Sequence, residues 1–181
     1  MKNVPELPYE IWKDRLDNEI RSLKGLDILE GDSLVRNENS LELIINIEAL
    51  GFLKEDSDLI PIKKHRIFLK INRTFPYPGG IDFSWQSKIF HPNIHPVDYV
   101  SPSGEQGTGY ICLNVLKKWS RLSDMETVVK ALQMLIENPN PDDPLNYDIC
   151  LEAADFFREN PMEKIKEEYD FDESEEEEEE A

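Results

Sequence analysis

The sequence predicts an α+β fold. Three observations carry this. A helical apolar stripe opens the chain, period-2 alternation follows it, and helical periodicity returns after residue 123 and persists to about residue 169. Strands that precede a run of helices, without alternating with them, argue against a doubly wound sheet. The expected architecture is an N-terminal helix, a four-stranded antiparallel meander and C-terminal helices.

Each element has its own justification. Over Pro8–Leu23, Trp12, Leu16, Ile20 and Leu23 make one stripe. Lys13, Arg15, Asp17, Glu19, Arg21 and Lys24 are expected on the solvent side, and Gly25 ends the helix. A weak strand is expected near Ile28–Val35. Leu41, Leu43, Ile45, Ile47 and Ala49 point one way with Glu42, Asn46 and Glu48 opposite, Ile67, Leu69 and Ile71 alternate with Arg66, Phe68 and Lys70, and Ile81, Phe83 and Trp85 with Asp82, Ser84 and Gln86. The polar stretch Gly51–Lys64 reads as a loop. "FPYPGG" (Phe75–Gly80) is a rigid turn, because proline brings no donor to a ladder.

Ser123 and Glu126 read as a capping box before a helix with Met125, Val128, Val129, Leu132, Leu135 and Ile136 on one face. "NPNPDDPLN" (Asn138–Asn146) breaks that helix with three prolines. Asn146 is the expected cap of a third helix carrying Ile149, Cys150, Ala153 and Phe157. Asn160-Pro161 opens a last one lined by Met162, Ile165 and Tyr169.

Charge is distributed unevenly. The formal net charge is −18, and half of it lies in the last 12 residues, which hold nine acids and no base. Such a run repels itself and has too little apolar surface to collapse, so 170–181 is expected to be a disordered acidic tail behind one domain over 1–169. The balance argues against nucleic acid and anionic membranes as partners. No window approaches a membrane span, and the first residues lack a signal-peptide core, so an intracellular, soluble, cytoplasmic protein is expected. Two cysteines and three histidines at 65, 91, 95, 112 and 150 match neither a disulfide framework nor zinc-finger spacing. No metal or cofactor is expected.

Cys150 sits on an apolar helix stripe and reads as a core thiol. Cys112 follows a polar, glycine-bearing stretch, and His91 and His95 lie upstream. Position alone leaves a buried filler, a nucleophile and a Cys–His hydrolase pair all open.

The strings "FPYP", "IFHPN", "ICLNVL", "WS" and "PNPDDPLN", in this order, resemble the ubiquitin-conjugating enzymes, including those for ubiquitin-like modifiers. The resemblance covers most of 8–169. "CLNVL" with "PNPDDPLN" is closer to the conjugating enzymes for the modifier of cullins. It implies that Cys112 accepts ubiquitin or a ubiquitin-like modifier as a thioester from an activating enzyme. The acyl group then passes to a lysine-bearing protein substrate, directly or with a ligase of the RING type.

By the same resemblance, Asn93 orders the loop, donates to the oxyanion, or does both, and Asp143 orients the amine. His91 and Pro92 shape the turn, with Asn114 and Leu145 as further active-site support. Tyr77 and Ser120-Arg121-Leu122 match loops that meet ligases. Lys13 and Arg21 on the first helix match contacts to the activating enzyme and ligase. Two departures stand out. Nineteen positions separate Asn93 from Cys112, so a loop is inserted over about 95–109. It is expected to lie at the surface, with His95 in it. "WSRLS" also departs from the usual ligase-facing residues. A non-enzymatic module on the same fold and a thiol hydrolase are the rival readings.

Overall fold

A computed structural model describes residues 3–112 and 124–169. Asn114, Trp119, Ser120, Arg121, Leu122 and Ser123, and the acidic tail over 170–181, lie outside the described residues.

Helix α1 (Tyr9–Gly25) is followed by β1 (Val35–Arg36), β2 (Ser40–Glu55), β3 (Asp58–Asn72) and β4 (Ile81–Trp85). Then come α2 (Met125–Glu137), α3 (Asp148–Glu159) and a helix, α4, over 162–169. The strands pair antiparallel in the order β1-β2-β3-β4, so the expected meander is present.

The inward face of the sheet holds Leu41, Leu43, Ile45, Ile47, Ile67, Leu69 and Ile71. Against it pack Met125, Val128, Leu132 and Ile136 of α2, with Trp12, Leu16 and Leu23 of α1. Fully burying one such Leu or Ile stabilises the fold by about 1.5–3 kcal/mol. A smaller cluster, Phe52, Phe90, Ala153, Phe157 and Ile165, fastens α3 and α4 to the far half of β2.

Several local expectations are corrected. Gly51–Lys64 is not a loop: β2 and β3 continue through it as one long hairpin, with Glu55 opposite Asp58 and Asp56 at φ 54° in the turn. A bulge between Glu48 and Gly51 breaks the alternation, which hid the second half of the ladder. Near Ile28–Val35 only Val35–Arg36 is a strand; a short 3₁₀ turn occupies Gly31–Ser33, and Leu29 makes an isolated bridge to Ile45.

Glu19 is not on the solvent side. It is 5% exposed, receives the Arg15 Nε–H at 3.1 Å, and receives the Met125 amide at 2.9 Å. A carboxylate of α1 thus satisfies an N-terminal amide of α2 that has no partner inside its own helix. Asp124 is the cap of α2, accepting from the Thr127 amide at 2.8 Å and its hydroxyl at 2.7 Å, while Glu126 pairs with Lys130.

Tyr147, not Asn146, holds the cap position of α3, without a side-chain bond. Asn160 closes α3, its Nδ2 donating to the Phe156 carbonyl, and α4 starts on the Pro161 carbonyl, which receives the Ile165 amide.

Candidate active site

The "HPN" turn is built from the inside. His91 is 3% exposed. Its Nε2–H donates to the Leu135 carbonyl at 2.8 Å, and its Nδ1 accepts the Asn93 amide at 3.0 Å. The ring is therefore neutral and fixed in one tautomer. Burial pulls its pKa down to about 4, opposed by the Leu135 carbonyl bond and helped by His65. Both ring nitrogens are engaged away from Cys112.

Asn93 is 2% exposed. Its Nδ2 donates to the carbonyls of Asn140 (3.1 Å) and Asp143 (3.0 Å), and its Oδ1 accepts the Asn140 amide at 2.8 Å. The Leu145 amide donates to the Pro92 carbonyl at 2.9 Å. The proline-rich segment after α2 is thus pinned onto the "HPN" turn by side-chain and main-chain bonds together. On its other side the Asn93 carbonyl receives the Cys112 amide at 2.9 Å. Cys112 and Asn93 are neighbours in space although 19 positions apart in sequence, and Cys112 is partly exposed. Asp143 is exposed and Leu145 half-buried on the pinned segment.

The inserted stretch lies at the surface, as expected, but as an ordered hairpin whose base, His95, Pro96 and Gly109, is buried. His95 donates its amide to the Tyr110 carbonyl and receives the Gly109 amide. Val97 and Gly109 bond to the main chain of Trp85, and Val100 pairs with Gln106. Two glycines permit this. A Cβ on Gly107 would overlap the Pro96 carbonyl, and Gly109 sits at φ +78° against Ser84.

His95 itself is 6% exposed, its ring flat against Tyr147 with centroids 3.9 Å apart. Tyr147, Thr108 and Tyr110 did not stand out in the sequence. The available signal was that "HPNIHP" reads as one continuous stretch, and all six of its residues are buried.

Cys150 is fully buried, its thiol 3.4 Å from the Ile94 carbonyl and its pKa pushed up by burial to about 12. It is the core thiol expected. Among the outlying residues, Lys13 pairs with Glu10, Arg21 donates to Asn18, and Tyr77 is half-exposed in the proline turn. Asn114 and Ser120-Arg121-Leu122 lie outside the described residues. Among the described residues, no three His, Cys, Asp or Glu side chains converge as metal donors, and no helix is long and apolar enough to cross a membrane.

A sheet of four antiparallel strands between an N-terminal helix and C-terminal helices, with a cysteine held beside an "HPN" turn, defines a known class. The chain belongs to the ubiquitin-conjugating enzyme family, whose family model, "Ubiquitin-conjugating enzyme", matches residues 62–169. It is 38% identical over 122 residues to Ubiquitin-conjugating enzyme E2 3 of Arabidopsis thaliana, covering 66% of this chain and 69% of the relative. It is 31% identical over 103 residues to Ubiquitin-conjugating enzyme E2 2 of Emericella nidulans, where the match takes in 56% of this chain and just over half, 57%, of that relative's length.

Among solved structures, a ubiquitin conjugating enzyme E2 domain of Toxoplasma gondii aligns with a TM-score of 0.52 at 24% identity, covering 82% of this chain and 87% of that one. S. cerevisiae Ubc12 aligns with the same score and identity, covering 84% and 75%. These two likenesses concern the fold.

Proposed function

We propose that the chain is an active modifier-conjugating enzyme with Cys112 as its acyl carrier. The observation that carries this reading is the bond from the Cys112 amide to the Asn93 carbonyl. It sets a partly exposed thiol beside a rigid turn and the segment pinned to it, despite the insertion.

In the first step the Cys112 thiolate attacks the thioester carbonyl of the modifier's C-terminal residue on an activating enzyme, and that enzyme's thiolate leaves. In the second, the neutral amine of a substrate lysine attacks the new thioester. The C–N bond forms, the C–S bond breaks, the Cys112 thiolate leaves, and the amine gives up a proton. Asp143 is the candidate to orient the amine and accept that proton. Free lysine has a pKa of about 10.4, so the site must also favour the neutral amine by desolvation.

Both Asn93 amide hydrogens are engaged with the 140–143 segment. This supports a positioning role for Asn93 and leaves donation to an oxyanion dependent on exchanging one of those bonds. The predicted partners are ubiquitin or a ubiquitin-like modifier, its activating enzyme, a RING-type ligase and a lysine-bearing protein. Lys13, Arg21 and Tyr77 are the proposed contacts among the described residues. A Cys–His hydrolase is less well supported, since both ring nitrogens of His91 are committed to Leu135 and Asn93, and the bare nitrogen of His95, Nδ1, accepts from Thr108.

The test is loading. With ATP, activating enzyme and a panel of ubiquitin-like modifiers, a thiol-sensitive adduct is expected on Cys112 for one modifier. The same adduct appearing on a Cys112→Ala protein would refute the assignment.

A further inference from the structure

Between the insertion hairpin and the first turn of α3 lies a cleft of about 260 Å³, to which His95, Glu105, Thr108, Tyr147 and Asp148 contribute. The state of His95 follows from its bonds. The Thr108 amide donates to its Nδ1 at 3.0 Å, and the Thr108 hydroxyl lies 2.8 Å from the same nitrogen. A nitrogen that receives an N–H is the bare one, so the proton of the neutral ring is on Nε2. Nε2 has no hydrogen-bond partner among the described residues, yet it is not among the atoms sealed from solvent. A donor on a ring more than nine-tenths buried, lining a cleft, calls for an oxygen on whatever enters.

The second requirement is positive charge. Glu105 comes from the hairpin and Asp148 from α3, and among the described residues no lysine or arginine lines the cleft. Neither carboxylate has an ion-pair partner among the described residues. The nearby Tyr99 hydroxyl has its pKa raised by burial and, after that, by the charges of Asp148 and Glu152.

The third observation is placement. His95, on the wall of the cleft, pairs with Tyr110, and Ile94 pairs with Ile111, so the segment facing His95 continues to Cys112. Two extended residues span about 7 Å from Tyr110 to Cys112. An extended peptide with its lysine at the thioester would lay a residue two or three positions away in this cleft.

We infer that the cleft is an acceptor subsite, which takes the extended segment flanking the substrate lysine and prefers a basic side chain there. A peptide carbonyl meets His95 Nε2–H, and the basic group meets Glu105 and Asp148. The insertion thus selects substrates rather than taking part in the chemistry. This rests on the reading of Cys112 as the thioester site.

The experiment uses the full chain preloaded with modifier. Discharge is compared between two short peptides, each with one lysine, carrying either arginines or glutamates two and three positions away. Each rate is divided by that for free lysine, so that differences in loading cancel. The arginine peptide is expected to react about tenfold faster than the glutamate peptide, the scale of two rim ion pairs. In Glu105→Gln/Asp148→Asn the two should fall within about twofold. Equal rates in the unmodified chain, or a preference that survives in the variant, would overturn the inference.

A second arm needs no thioester. Titrating the arginine peptide into the unloaded chain should shift the His95 imidazole and Tyr147 resonances in NMR spectra, and their remaining fixed would overturn it. Shifts at His95 without any adduct on Cys112 would instead sink the enzymatic reading and leave the peptide site standing. An unloaded modifier tail that moves the same resonances while the peptide does not would assign the cleft to the modifier.

Discussion

Two residues of the "HPN" turn decide how it behaves, and they do so differently. His91 is buried neutral, with a pKa of about 4, below its ordinary value of about 6.5. The unfolded chain therefore binds a proton that the folded chain refuses. Stability from this group is complete above about pH 6.5 and is lost as pH falls toward 4. Between pH 7 and pH 5 the loss from His91 alone is about 2 kcal/mol. Urea unfolding at the two pH values should show it, and His91→Gln should flatten the slope while lowering stability at pH 7. His65 and His95, also lowered by burial, add in the same direction.

Asn93 fixes geometry rather than charge. Asn93→Ala should still load Cys112 and should slow discharge to lysine by about 10²-fold, the scale of displacing a positioned group by an ångström. Equal loss in both steps, measured by single-turnover gels, would mean that it serves the nucleophile as well. The sequence pointed to His91 and Asn93 only through resemblance. Their bonds run to Leu135, Asn140 and Asp143, more than 40 positions away, where no local pattern records them.

At the scale of elements, the legible parts were those with unbroken periodicity. Leu41, Leu43, Ile45, Ile47 and Ala49 alternate, as do Ile67, Leu69 and Ile71, and each of these is buried. The far half of the β2–β3 hairpin was not legible. Its bulge puts Ala49 and Leu50 side by side, and its tip is polar from Lys54 to Asp58. The insertion hairpin was hidden for a different reason. Proline, serine and glycine over 96–109 give no strand pattern, and its order comes from bonds to Trp85 and the stack of His95 on Tyr147.

That construction makes the hairpin separable. Its base is closed by main-chain bonds between His95 and Tyr110 and between Asn93 and Cys112. Replacing 98–107 with a tight turn should leave loading of Cys112 within about threefold and abolish the preference for basic acceptors. Gly109→Val, which forces a β-branched residue into the left-handed region and against Ser84, should be worse than the deletion. Loading assays and thermal melts of the two variants decide this.

For the whole molecule, the two apolar clusters divide the load. The larger joins the sheet to α1 and α2, and the smaller fastens α3 and α4. Leu69→Ala, at the centre of the larger cluster, should cost about 2–5 kcal/mol in chemical denaturation. Deleting 170–181 should leave both melting and loading unchanged, because so acidic a run carries almost no apolar surface to bury. Glu19 then says where a self-sufficient piece of this chain can begin. The family match starts at residue 62, partway along β3, whereas the Met125 amide needs a carboxylate that the chain supplies 106 positions earlier. A fragment cut to the matched span would lose β2 and would leave the start of α2 without its acceptor. Expressed by itself, it should be an insoluble or unfolded polypeptide, so the span matched by the family model is shorter than the smallest segment able to stand alone.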